Sequence, residues 1–121
     1  YHDSCLEGLA SGPAIKERWG VESAMDLPED HEAWDLEAHY LSLALMTYTF
    51  CLSPKRIVMG GGVMQQPQLF DSIREKMIKH IWKETLDINI KIPFERITYS
   101  QSIKKYNSDK PDMRKKGEDF K

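Results

Sequence analysis

His2 and Cys5 stand three positions apart in the opening stretch "YHDSCLEGLASGPAI", close enough for one turn of chain to aim an imidazole and a thiolate at a single zinc ion. A structural zinc site needs four such donors. No second pair is spaced in this way, and His31, His39 and His80 scatter through segments of helical pattern. The residues alone therefore leave two readings open, an incidental His and Cys or half of a metal site. Glu7 follows two positions on, where an acid suits the positive end of a helix.

Gly60, Gly61 and Gly62 form the second candidate, three of only seven glycines placed between an apolar run and an amphipathic one. Glycine permits positive φ and close approach of another group, so the cluster points to a sharp strand-to-helix turn that receives a ligand or serves packing.

These residues need elements to hold them. "CLEGLASGPAIKER" has small residues and Leu at helical spacing, with Gly12-Pro13 set to bend or restart the helix. Pro28 and its neighbouring acids mark a helix start before "EAWDLEAHYLSLALMTYTFCL", whose apolar end is expected to be buried. "KRIVMG" reads as a short strand covered on both faces through Ile57, Val58 and Met59. From Gln66 onward, Leu69, Phe70, Ile73, Met77, Ile81 and Trp82 make one helical stripe, with Arg74, Glu75, Lys79 and Lys83 opposite. "DINIKIPFERITYS" alternates as one or two short strands broken at Pro93, and the lysine-rich remainder is expected to be mobile over its last fifteen residues. Trp34, Tyr40, Tyr48 and Trp82 lie at helical spacing and read as core rather than ligand contacts.

The 121 residues, 40% hydrophobic and 30% charged, make an ordinary globular chain of one domain or less. A net charge of −2 gives no general drive toward nucleic acid or anionic lipid. The longest apolar stretch, "YLSLALMTYTFCL", is too short and hydroxyl-rich to span a bilayer, and no signal-peptide pattern opens the chain, so a soluble cytoplasmic protein is expected. Cys5 and Cys51 are too few for a disulfide framework and read as reduced thiols.

"YHDSCLEGLASGPAIKERWG", followed by "HEAWDLEAHYLSLALMTYTFCLSPKRIVMGGGVMQQPQLFDSIREKM", closely resembles the C-terminal half of bacterial fructokinases of the ROK sugar-kinase family, over about residues 1–82. The resemblance implies an α/β fold, the C-terminal lobe of an actin-like (ribonuclease H-like) ATPase. It implies a partial lobe over residues 1–86 and a divergent segment over residues 87–121. In that family a Pro-Tyr-His-x-x-Cys stretch supplies zinc ligands, so His2 and Cys5 match two of four, the others being expected upstream of residue 1. Two copies sharing one ion would complete a tetrahedron, which makes a homodimer one arrangement to test.

The same resemblance makes Glu7 the carboxylate that accepts hydrogen bonds from hydroxyls of the bound hexose, a task suited to a group with two acceptor oxygens. It places Gly60, Gly61 and Gly62 beneath the adenosine of ATP, where missing side chains admit ribose and α-phosphate and the next helix turns free N–H groups toward negative charge. The implied activity is ATP- and Mg²⁺-dependent phosphorylation of fructose at its 6-hydroxyl. The family's catalytic Asp, in an Asn-Asp pair of the N-terminal half, has no match here, so the isolated chain is expected to be inactive. ROK repressors share this lobe as an inducer sensor, and a non-functional gene fragment is the blander alternative. "ITYSQSIKKYNSDKPDMRKKGEDFK" departs from the family, which continues with a further strand and an Asn-Ala-Gly-like segment.

Overall fold

The structure, a computed structural model, describes residue 2 and residues 4–112. Two long helices dominate it, α3 (Glu32–Leu52) and α4 (Gln68–Leu86), with the short α1 (Leu6–Leu9) packed beside α3, α2 (Gly12–Trp19) beside α1, and a last helix, α5 (Tyr99–Tyr106), following an irregular segment. No helix among the described residues is long and apolar enough to cross a membrane.

Local chemistry sets the boundaries. Ser11 caps α2 by accepting a hydrogen bond from the Ala14 N–H, and Pro13 lies in the first turn, where its missing N–H costs nothing. Gly12-Pro13 therefore restarts the helix rather than bending it. His31 caps α3 through Nδ1, which accepts from the Ala33 N–H at 3.1 Å, and its ring meets Trp19 edge-on at 4.9 Å. Ser53 ends α3 in the left-handed region, and Pro54 follows, so the helix cannot continue.

The core lies where α2, the 3₁₀ turn Ala24–Asp26, the start of α3 and the first half of α4 meet: Ile15, Ala24, Leu27, Ala33, Trp34, Ala38, Leu69 and Ile73. Ala33 and Ala38 let the neighbouring backbone approach, while the Trp34 indole N–H donates to the Pro28 carbonyl at 2.7 Å and so enters the core satisfied. Lys76 on α4 reaches Asp35 on α3 at 2.7 Å.

Several expectations need correction. No strand forms among the described residues, so the α/β architecture is not realised in them. Residues 55–60 form no regular element and no hydrogen-bonded ladder, and Ile57 and Val58 stay 40% and 85% exposed instead of covered. Residues 87–98 likewise lack a ladder and form no strand. The end of α3 is also exposed: Tyr48, Phe50 and Leu52 are 43%, 70% and 72% accessible. Trp34 is core, but Tyr48 is not.

Glu75 needs correction too. It sits on the expected solvent face of α4 yet is buried, because the segment after α4 folds back and Arg96 donates to its carboxylate at 3.2 Å while also pairing with Asp71. On the expected stripe, Leu69 and Ile73 are buried, and Phe70, Met77, Ile81 and Trp82 are half-buried. The expected mobility of the last fifteen residues falls mostly on residues 113–121, outside the described residues.

Candidate functional site

His2, Cys5 and Glu7 come together at the start of α1. His2 Nδ1 is 3.1 Å from Cys5 Sγ, and His2 Nε2 is 3.5 Å from a Glu7 carboxylate oxygen. His2 has a φ of 62°, unusual for a residue with a side chain, and its carbonyl oxygen occupies the space where a β-carbon on Gly8 would stand. The glycine thus permits the bent-back chain that sets imidazole beside thiol. Sequence reading did not single out Gly8.

Two ligands of one tetrahedral zinc stand roughly 3.5 Å apart, given bonds of about 2.0 Å to nitrogen and 2.3 Å to sulfur. His2 and Cys5 are close to that separation and on the same side of the chain. Among the described residues, however, no group of three or more His, Cys, Asp or Glu is arranged to hold a metal ion. The described residues offer one imidazole and one thiol donor and not a closed cage. Both cysteines are free thiols.

Glu7 is exposed on the first turn of α1, at the rim of a cavity of about 510 Å³ that it shares with His2, Gly8, Ser11 and Pro13. Gly60, Gly61 and Gly62 line a separate groove of about 400 Å³ against α1 and α3. Gly61 has a φ of 97°, which a side chain would strain, whereas Gly60 and Gly62 have open space about them. A 3₁₀ turn, Val63–Gln65, intervenes before α4, so the glycines do not lead straight into a helix N-terminus as expected. Ser11 lines both the Glu7 cavity and the glycine groove, so the two candidate regions flank one short turn between α1 and α2.

The groove contains a residue that sequence reading missed. Glu37 on α3 is 1% exposed, and neither of its carboxylate oxygens finds a hydrogen-bond partner. Burial pushes its pKa up from 4.5 to about 7, against a weaker opposing pull from the Arg18 charge. The signal was present: Trp34, Leu41 and Leu45 lie three residues before and four and eight residues after it, so Glu37 interrupts an apolar helical stripe.

Residues 1–96 match the ROK family, and the chain belongs to it. A Bacillus subtilis (strain 168) protein provisionally named a fructokinase is 51% identical over 79 residues, which are 65% of this chain and 26% of that protein. A fructokinase of Pediococcus pentosaceus is 43% identical over 81 residues, 67% of this chain and 28% of the relative. The chain thus spans about a quarter of the length of these curated relatives. A different kind of protein also matches: an aspartate–tRNA(Asp/Asn) ligase of Thermoanaerobacter sp. (strain X514) is 52% identical over 42 residues, 35% of this chain and 7% of the ligase.

Proposed function

We propose that residues 1–86 are part of the C-terminal lobe of a ROK fructokinase, whose whole form phosphorylates fructose at the 6-hydroxyl with ATP and Mg²⁺. The identity to proteins named fructokinase across this region carries the reading. In it, Glu7 accepts hydrogen bonds from hexose hydroxyls, and Gly60, Gly61 and Gly62 lie under adenosine. Their placement on either side of Ser11 agrees with one substrate on each flank of a shared turn. His2 and Cys5 supply two of four zinc ligands, and the ion would brace the bend that presents Glu7.

The residues of this chain would position substrates, while the Asn-Asp pair that holds the family's base has no match in its sequence. Losing such a base costs about 10²–10⁴ in rate, and losing the opposing wall of a cleft removes positioning as well. A coupled assay with ATP, Mg²⁺ and fructose should give no fructose-dependent ADP release above background. Calorimetry should detect weak fructose binding that Glu7→Gln removes. Robust turnover by the chain alone, or fructose binding indifferent to Glu7→Gln, would overturn the assignment.

A second reading concerns the C-terminal third. The fructokinase and ligase matches cover 65% and 35% of the chain, complementary shares. Among the described residues after Glu75 only Ser102 is buried, and Met77 alone of the apolar side chains there packs against the core. We infer that the ligase-like stretch is the C-terminal one, joined to the kinase-like part on the later turns of α4, with the ROK match running on past the seam. At 7% of a ligase it carries no ligase activity of its own. Replacing residues 80–121 with the matched ligase stretch should leave thermal unfolding of the α3 and α4 pair unchanged. Loss of cooperative unfolding in that chimera would remove the reading.

A further inference from the structure

A cavity of about 240 Å³ opens between α3 and α4 and shares no residue with the Glu7 cavity or the glycine groove. Its charged lining is cationic: Lys76, Lys79, His80 and Lys83 from α4 face His39 from α3, with no carboxylate among them. That bias runs against a chain of 19 acidic and 17 basic residues. The i, i+3, i+4, i+7 spacing puts the four α4 residues on one helical face, where like charges three and four apart repel. Two lysines are compensated from outside the lining, Lys76 by Asp35 at 2.7 Å and Lys83 by Asp87. Half-buried Lys79 and exposed His80 have no hydrogen-bond or ion-pair partner among the described residues.

Plainer accounts cover single members of this cluster. A lysine stem lying on apolar surface with its head in water would serve for Lys79 alone, and Lys83 suits the negative end of α4. Neither explains why cations from two helices converge on one space while the nearby arginines are spent on carboxylates, Arg74 on Asp71 and Arg96 on Asp71 and Glu75. The Ser42 hydroxyl also lines the cavity but donates to the His39 carbonyl at 2.7 Å, so the donors left are ammonium and imidazole N–H groups.

We propose that this cavity is an anion site for a phosphate monoester, held by Lys79 and His80 with Lys76, Lys83 and His39 around it. The chemistry selects phosphate over carboxylate. A carboxylate is met best by one planar arginine fork, and no arginine lines the cavity. A phosphate dianion offers three terminal oxygens and takes several point-charge donors arriving from different directions. Volume sets the size of the occupant: 240 Å³ lies below the roughly 300–1,000 Å³ of pockets that hold a drug-sized ligand. The phosphoryl group and a small body therefore fit, with Leu43 and Ile92 as the apolar members of the lining. Bound there, the anion relieves the repulsion along the α4 face.

The test is titration of the full chain with inorganic phosphate and with glycerol 3-phosphate as separate probes at constant ionic strength, followed by calorimetry and amide NMR. Saturable binding of one anion per chain is expected, with amide shifts centred on residues 39–43 and 76–83 and an unfolding temperature that rises with either probe. Equal affinity for the two shows that the phosphoryl group alone is read, and tighter binding of the ester shows that its body is seated as well. Both outcomes support the site. Lys79→Met keeps the apolar stem without the charge and should weaken binding at least tenfold, with Lys79→Arg restoring part of it. Lys91→Met makes the same charge change at an exposed position outside the lining and should leave binding as it is. Where Lys79→Met disturbs the helical spectrum, His80→Gln, at an exposed position, is the second variant and should also weaken binding. Shifts reproduced by chloride at the same ionic strength, or equal weakening by Lys79→Met and Lys91→Met, would overturn the proposal. So would binding to heparin but to neither phosphate probe.

Discussion

The carbonyl oxygen of His2 fills the place of the side chain that Gly8 lacks, and this contact turns the His2 imidazole back onto Cys5. Gly8→Ala must push the His2 backbone away, since backbone atoms block the new β-carbon. The wild-type chain should take up zinc or cobalt(II) weakly and below one ion per chain, because two donors do not offset dehydration of the ion. Gly8→Ala and Cys5→Ser should each abolish the cobalt–thiolate absorption band. One tightly held ion per monomer, retained by Cys5→Ser, would refute the pairing.

Glu37 makes stability pH-dependent in an unusual direction. Its folded pKa of about 7 lies above the ordinary 4.5, so between those values the folded chain holds a proton that the unfolded chain has released. Stability from this group is therefore full below about pH 4.5, falls as pH rises toward 7, and is level above that, a loss on the order of 3 kcal/mol. Glu37→Gln should flatten that part of the curve in urea titrations from pH 4.5 to 8. An identical pH slope in wild type and variant would mean that Glu37 is solvated.

At the glycine turn, Gly61 and Gly60 separate backbone strain from ligand contact. Gly61→Val forces a β-branched residue to a φ of 97° and should cost about 1–3 kcal/mol even though nothing lies within 4 Å of the new β-carbon. Gly60→Ala meets neither strain nor neighbour and should leave stability unchanged. If adenosine lies against this turn, Gly60→Ala still weakens ATP binding. Calorimetry showing equal ATP binding by wild type and both variants would remove the nucleotide role.

How far the sequence spoke for the structure depended on whether the deciding contact was local. Pro13 and Pro54 act on their own helices, and the restart and the stop they mark lie where the pattern put them, while the Ser11 cap went unread. Leu69 and Ile73 bury as their 3.6-residue spacing requires. The strand at 55–60 depended on a ladder partner that no local pattern can supply. Glu75 was misplaced for a related reason, since Arg96 comes from 21 residues away to cover it. Helix α5 had a readable start, Thr98 with Gln101 in a reciprocal capping box, overlooked because lysines dominate the segment. Of the candidate site, the His2 and Cys5 pair was visible as spacing and Glu7 only through the family resemblance, whereas Glu37 needed its apolar stripe to be read as one face.

Arg96 is the visible tie between the C-terminal segment and α4. Its guanidinium reaches Glu75 and Asp71 at 3.2 Å each, and those hydrogen bonds, with Glu75 foremost, raise its pKa further above an already high value. Removing it leaves the buried Glu75 carboxylate without that partner, and a buried charge without a donor is unfavourable. Arg96→Ala should therefore free the segment from α4 without unpacking α3 from α4, whose contact runs through Ala33, Trp34, Leu69 and Ile73. Limited trypsin digestion should cut faster at Lys91 while the helical content by circular dichroism stays near wild type. Restoring charge with Arg96→Lys should return only part of the protection, because lysine lacks the fork that holds two carboxylates at once. Equal cleavage at Lys91 in wild type and Arg96→Ala would show that the segment is held by something other than this pair of contacts.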